Sequence, residues 1–383
     1  MYIATCTRGA EGVLAEELLE IGVKDTREFR GAIAFHGGLK DAYRVCMYSR
    51  VASRILSRIK RVPAYSPDEL YEGVRGLRWA EHLGPDQTFS VEFVGISPSI
   101  RNSHFGALRA KDAIVDAIRD DTGGRPNVDT DDPDVRIHIH LDEAKAAVAI
   151  DLSGPPLHIR GTRIDGGRAP LKENLAATLL RMANWTERAA NGEALFDPMC
   201  GSGTLLTEAA AMAAGRPAGV ARKRWGFDRW RGHEASHWAA VVKEAEAWED
   251  RPLPPIRGAD RDRAQLAAAQ RNVDASGLPI ALTRAQLSET QAPLEASGIV
   301  IVNPPYGERV SGGEDLAALH RELGDILRRR FLGWTGYVLT TPPLLKTIGL
   351  RPKRKHILHN GPIECRFAEI PISDKPVQRD EQT

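Results

Sequence analysis

Four consecutive residues, Asn303-Pro304-Pro305-Tyr306, bring a carboxamide, two prolines and a phenol together in one short stretch. The Asn303 side-chain oxygen and the Pro304 carbonyl accept hydrogen bonds, and proline nitrogen donates none, so the stiffened loop leaves carbonyls facing outward. Such a loop suits an exocyclic NH2 group, with Tyr306 offering a face on which the ring bearing that group stacks. Earlier in the chain, Asp197-Pro198-Met199-Cys200-Gly201-Ser202-Gly203-Thr204 places a carboxylate before a Gly-x-Gly turn. Glycines let a ligand approach the backbone, and a helix starting there points free N–H groups at it, which fits a nucleotide-like ligand. Leu206 stands where a dinucleotide fingerprint wants a third glycine, and no G-K-[ST] is present after the turn, so a P-loop is excluded. A further carboxylate, Asp260 in Arg257-Gly-Ala-Asp260, is placed to accept both hydroxyls of a ribose, or to cap the helix after it.

These residues need strands to carry them. The continuous apolar run Ile299–Val302 reads as a fully buried strand that delivers Asn303 to the carboxyl edge of a parallel sheet, where ligands bind in open α/β folds. An apolar strand precedes Asp197, and helices are expected over Leu205–Ala214 and Arg263–Ala275. Pro170 marks a helix start ahead of Leu171, Leu175, Leu179 and Met182, and strands alternate with helices to about Ile372. Before this lies a connector rich in Gly, Pro and Arg, Ser153–Arg168. The N-terminal stretch reads as strand Ile3–Cys6, helix Val13–Ile21, strand Ala32–Phe35 and helix Leu39–Ile59. From Pro63 to Leu152 a second α/β unit is expected, with strands Thr88–Val94, Val135–Leu141 and Ala146–Asp151 and a helix whose Leu108, Ile114, Val115 and Ile118 share a face. His138 and His140 alternate on one strand face with no third ligand in view, so they read as a polar face and no metal site is expected.

With 383 residues, at about 150 per domain, two or three domains are expected. Lys plus Arg total 52 against 51 acids, so the net charge of +1 gives no global sign of a nucleic-acid or membrane partner. A hydrophobic share of 42% with 27% charged residues argues against a disordered chain. Four scattered cysteines without a C-x-x-C pair indicate neither zinc nor a disulfide framework, consistent with a reducing cytoplasm. The N-terminus does not read as a secretory signal, and Phe331–Leu345 is too short and too broken by Gly and Pro to span a membrane. Basic surface must therefore be local. Arg222, Lys223, Arg224 and Arg229, interleaved with Trp225, suit phosphate contact with base stacking, or else pack as an insertion. Arg101, His104, Arg109 and Lys111, and the run Arg351–Lys355, are weaker RNA-binding candidates.

The combination of D-P-M-C-G-S-G-T with N-P-P-Y-G-E-R resembles the class I S-adenosylmethionine-dependent methyltransferases that modify exocyclic amino groups. With Ala4–Gly9, Ala169-Pro-Leu-Lys-Glu173, Leu350-Arg-Pro and Asn360-Gly-Pro-Ile-Glu-Cys365, it is similar to the THUMP-containing guanine-N2 methyltransferases of the large-subunit rRNA, RlmL-like type, over nearly the whole chain. The resemblance implies an α/β chain: a ferredoxin-like domain at 1–62, a THUMP RNA-binding domain at 63–155, a linker at 156–169, a Rossmann-like seven-stranded methyltransferase domain at 170–375 and a tail at 376–383. It implies S-adenosylmethionine as cofactor, bound by Asp197, Pro198, Cys200, Gly201, Ser202, Gly203 and Thr204, with Asp260 on the ribose. Asn303, Pro304, Pro305 and Tyr306 would hold the target base. The family usually carries an acidic residue after the third strand for the adenine amino group; here Gln286 stands in that loop, and its oxygen accepts the same bond. The substrate implied is large-subunit rRNA, with tRNA as the alternative. DNA adenine and protein-glutamine methyltransferases share the four-residue motif, but the two N-terminal α/β units and the Gly307-Glu308-Arg309 extension favour RNA. A non-catalytic ribosome-assembly factor is the reading from a different class.

Overall fold

The computed structural model describes residues 1–166, 171–293, 297–307 and 315–373. Ala169, Pro170, Glu308, Arg309 and the tail 376–383, all singled out above, lie outside the described residues. The chain divides into two compact units. One comprises Met1–Cys6, Glu17–Leu157 and Arg222–Ala245; the other comprises Thr7–Glu16, His158–Ala221 and Glu246–Thr383.

The first unit is built on one eight-stranded sheet in the order β2-β3-β1-β4-β8-β7-β5-β6. Its strands are β1 Tyr2–Thr5, β2 Thr26–Phe29, β3 Ala32–Phe35, β4 Arg54–Pro63, β5 Thr88–Val94, β6 Asn127–Val128, β7 Val135–Asp142 and β8 Lys145–Asp151. The two α/β pieces expected from sequence thus share a sheet. Strand β4 pairs antiparallel with β1 on one side and β8 on the other, the latter from Leu56↔Asp151 to Pro63↔Lys145. The expected helix Leu39–Ile59 is corrected, for it ends at Tyr48 and β4 begins at Arg54. Its end is set by Glu17, a buried carboxylate that accepts the Ser49 hydroxyl at 2.5 Å and the Arg50 and Val51 amides at 2.9 and 3.2 Å. Those backbone donors are drawn away from helical partners. Strand β2, missed from sequence, has no buried residue and therefore no apolar pattern. Leu108 is exposed, unlike Ile114, Val115 and Ile118, because it lies at the edge of the apolar face.

The insertion Arg222–Ala245 packs within this first unit. Phe227 is fully buried, with Tyr43 and Trp238 ring centroids at 4.4 and 4.9 Å, and Trp225 stacks on it at 5.7 Å. Truncating a buried aromatic costs about 3–5 kcal/mol. Phe227→Ala is therefore expected to lower unfolding free energy in urea by about that amount, and a loss under about 1 kcal/mol would contradict the packing described.

The second unit holds a seven-stranded sheet in the order β11-β10-β9-β12-β13-β15-β14. Its strands are β9 Ala194–Asp197, β10 Ile256–Asp260, β11 Ala281–Arg284, β12 Gly298–Val302, β13 Thr335–Thr340, β14 Arg354–Asn360 and β15 Ile363–Pro371. All run parallel except β15, which is antiparallel to both β13 and β14. From β9 the order progresses one way through β10 to β11 and the other way through β12 to β13, so a crevice opens beyond the carboxyl ends of β9 and β12. Every residue of β12 is buried, which makes the strand a rigid support for Asn303 at its carboxyl end. At Gly258 a Cβ would lie 2.3 Å from Leu206 Cδ1, so glycine lets the helix Thr204–Ala213 pack close against β10. The core beneath includes Phe196, Val300, Val302, Leu323, Leu327, Phe331 and Trp334.

Candidate active site

The glycine turn connects β9 to the helix Thr204–Ala213. Asp197, 2% exposed, ends the strand, and its Oδ1 accepts the Met199 amide at 3.0 Å. Burial pushes its carboxyl up to about 8; the Met199 N–H opposes the rise and the neighbouring Asp260 charge adds to it. Gly203 caps the helix at φ +81°, a left-handed conformation that glycine adopts without strain, and its amide donates to the Cys200 carbonyl at 2.8 Å. Asp260 ties the neighbouring strand to this turn. Its Oδ2 accepts the Gly201 amide at 2.9 Å and its Oδ1 the Asp262 amide at 2.8 Å. Asp262, rather than Asp260, caps the next helix, accepting from Ala264 and Gln265.

Two neighbouring clefts lie along the carboxyl edge and share Met199. Asp197, Cys200, Gly201, Ser202, Thr204 and Asn303 line one, together with Leu171, Leu205 and Gln265. Pro198, Asp260 and Gln286 line the other, with Arg261, Ala285, Leu287, Leu319 and Glu322. The tertiary structure therefore brings the glycine turn and Asn303 to one cleft, and the ribose and adenine candidates to its neighbour. The backbone at Gly201 is open, since the nearest heavy atom to a Cβ built there is Gln265 Oε1 at 3.9 Å. Asn303 Oδ1 is buried and has no hydrogen-bond partner among the described residues. A buried acceptor left unpaired is costly, so Asn303 Oδ1 is placed to receive a donor.

Pro304 and Tyr306 are buried and Pro305 is half-buried. Tyr306 is 7% exposed, and its hydroxyl accepts from Asn360 Nδ2 at 2.9 Å. Burial holds its phenol far above the ordinary tyrosine value, with the Cys365 thiol, to which it is hydrogen-bonded, raising it too. The ring expected to stack on a base is thus fixed at its far end by the β14–β15 hairpin. Gln265 and Glu322 were not singled out from sequence, and Leu171 and Asn360 were noted there but not as site residues. Asn360 opens the Asn-Gly-Pro-Ile-Glu-Cys stretch noted for its resemblance, but nothing local to that stretch says which loop its side chain meets.

The basic candidates fare differently from expectation. Trp225 is buried and stacked on Phe227, so base stacking by it is corrected. Arg222 donates to the carbonyls of Ser153, Pro155 and Pro156 at 2.8–3.0 Å, Arg224 pairs with Asp132, and Arg229 pairs with Asp134 at 2.7 Å. Each of these three guanidinium groups thus has an acceptor within the first unit, while the Arg229 side chain stays 54% exposed. Lys223 is exposed. Arg109 pairs with Asp68 at 2.6 Å and lies 4.3 Å from the Tyr71 ring centroid, and Lys111 is 3.6 Å from Asp112. Arg101 Nε donates to the Pro98 carbonyl at 3.0 Å, and His104 is exposed at the start of the helix Ser103–Thr122. Arg351, Lys353, Arg354 and Lys355 are exposed at and before the start of edge strand β14. Among the described residues no group of three or more His, Cys, Asp or Glu could hold a metal ion, and no helix is long and apolar enough to cross a membrane.

Three family models match the chain: an RMKL-like methyltransferase domain over residues 160–369, a THUMP domain over 64–151 and an RlmL ferredoxin-like domain over 1–56. The chain is 44% identical to the ribosomal RNA large subunit methyltransferase K/L of Cellvibrio japonicus, an alignment covering 97% of this chain and 51% of that protein. It spans about half the length of the curated relatives it matches. Among solved structures, a putative methyltransferase complexed with SAH aligns with a TM-score of 0.85 at 27% identity, covering 98% of each chain. A possible methylase from Clostridium difficile 630 aligns with a TM-score of 0.86 at 27% identity, covering 98% of this chain and 99% of the other.

Proposed function

Because the chain belongs to the family of RMKL-like methyltransferase domains, we propose that it transfers the methyl group of S-adenosylmethionine to the exocyclic N2 of a guanosine in large-subunit ribosomal RNA, in the cytoplasm. The observation that carries the reading is the buried Oδ1 of Asn303, without a partner among the described residues, in the cleft that also holds Asp197 and the glycine turn. An acceptor there suits an NH2 donor brought by a substrate. The name shared by the curated relatives supports the rRNA substrate, and the SAH of the solved neighbour supports the cofactor.

The residues present fit that cofactor. The open face of Gly201 leaves room at the turn, and Asp260 and Gln286 offer polar groups in a cleft whose other walls include Met199, Ala285 and Leu287. When bound, S-adenosylmethionine supplies an electrophilic methyl group on a sulfonium. In this reading Asp197 and the open backbone face of Gly201 hold the methionine part and Asp260 accepts from the ribose. Asn303 Oδ1 and the Pro304 carbonyl accept the two N2 hydrogens. That pairing localises the nitrogen lone pair and aims it, so positioning and electrostatics supply much of the rate without a strong base. A guanine stacked in a helix cannot reach the cleft, so it must be unpaired or flipped out.

The state of Asp197 makes a pH prediction. With its carboxyl pushed up to about 8, it is largely protonated at neutral pH, whereas an incoming ammonium favours the ionised form. Affinity for S-adenosylhomocysteine is expected to rise as pH increases from about 6 to about 8, approaching tenfold per unit, and to level off above. Asp197→Asn should flatten the dependence. A flat wild-type profile in calorimetry over that range contradicts the assignment.

The experiment that tests the function is transfer of labelled methyl to rRNA and, separately, tRNA from cells lacking the protein, with nucleoside analysis of the product. N2-methylguanosine in large-subunit rRNA is the expected product. Label in tRNA alone replaces the substrate, and cofactor binding without transfer to either RNA favours a non-catalytic assembly role.

A further inference from the structure

We infer that Glu322 reads the 6-amino group of the cofactor's adenine, an inference that rests on the cofactor reading above. Resemblance carries this contact to Gln286, but a carboxamide is two-faced. It accepts through oxygen, donates through nitrogen, and turns to suit its partner, so by itself it favours a 6-amino purine little over a 6-oxo purine. The cleft that holds Gln286 also holds Glu322, and an ionised carboxylate only accepts.

Glu322 reaches the cleft from the helix Leu316–Arg330, and Leu319, three residues earlier, lines the same cleft. That spacing puts the two on one helix face, and the adjoining positions Leu323, Ile326 and Leu327 are buried in the core and fix the rotation of the helix. Leu319 with Leu287 gives the cleft apolar wall, and Glu322 gives it a directional acceptor. Asp260, the other carboxylate here, already receives the Gly201 and Asp262 amides, which orients it within the turn that the ribose meets. The division of work is therefore Asp260 for the sugar and Glu322 for the base, with Gln286 as an adaptable neighbour. A site built to receive an NH2 group discriminates against an analogue that presents a lone pair in its place.

The test is calorimetric binding of S-adenosylhomocysteine and of its 6-oxo analogue S-inosylhomocysteine to the full chain. Wild type should prefer the adenosine compound by at least about tenfold, the scale of one charge-assisted hydrogen bond. Glu322→Gln should bring the two within about threefold, and should do so by strengthening binding of the analogue, because the new amide donates to the 6-oxygen. A gain of affinity cannot arise from a damaged fold, and Glu322 is exposed. Gln286→Ala should leave the preference at about tenfold. Equal binding of both compounds by wild type, an undiminished preference in Glu322→Gln, or loss of preference in Gln286→Ala overturns the inference while the cofactor reading stands. Failure of wild type to bind either compound overturns both.

Discussion

Asn303→Ala is expected to lower kcat for methyl transfer by about 10²–10³-fold while leaving affinity for S-adenosylhomocysteine within about twofold. The split arises from position. Asn303 comes directly after β12, every residue of which is buried, and its Oδ1 is a buried acceptor with no partner among the described residues. The turn that would hold the cofactor is stitched by other groups, through Asp260 to Gly201 and Asp197 to Met199, and none of these bonds involves Asn303. Removing the acceptor should thus loosen the target nitrogen alone. Asn303→Asp keeps an acceptor oxygen at the same place and should retain more activity than alanine. Single-turnover transfer measured beside calorimetry checks the division, and a variant that loses cofactor affinity with transfer otherwise intact would reverse the role given to Asn303.

Asp260→Ala should act in the opposite sense, weakening S-adenosylhomocysteine binding by about 100-fold, because two effects add. It removes the acceptor proposed for the ribose, and it strands the amides of Gly201 and Asp262, which donate to its two oxygens at 2.9 and 2.8 Å. A hydrogen bond to a charged group contributes about 1.5–3 kcal/mol, and exposure reduces this, so a stability loss of about 2 kcal/mol should accompany the binding defect. Asp260→Asn should not rescue, since its amide nitrogen faces a backbone donor at one of the two positions. Binding calorimetry and urea unfolding together check this; unchanged affinity with a pure loss of stability would confine Asp260 to a structural role.

Much of the candidate site was legible because its signals are local. A left-handed Gly203, a carboxylate at the end of a strand and a five-residue buried run each show within a few residues of chain. The helix misplaced over Leu39–Ile59 shows the limit of such reading, since its end is dictated by Glu17, some 32 residues before Ser49, through bonds no window of periodicity contains. The insertion around Trp225 shows it again. Interleaved arginine and tryptophan have the same composition whether they face RNA or a protein interior, and only the neighbours of Phe227 and the acceptors of Arg222 decide between them.

By itself the sequence determined the α/β class, the strand ends that carry Asp197, Asp260 and Asn303, and the hydrogen-bonding groups offered at Asn303-Pro-Pro-Tyr306, because backbone preference and hydrogen-bonding capacity belong to individual residues. The tertiary structure decided which side chains share a cleft. It joined both N-terminal α/β pieces into one sheet through β4, placed Arg222–Ala245 with them, fixed Tyr306 by Asn360, and brought Glu322 to the cleft of Gln286. Those pairings depend on burial and on partners distant in sequence, and such contacts acquire their energy only when the chain has folded.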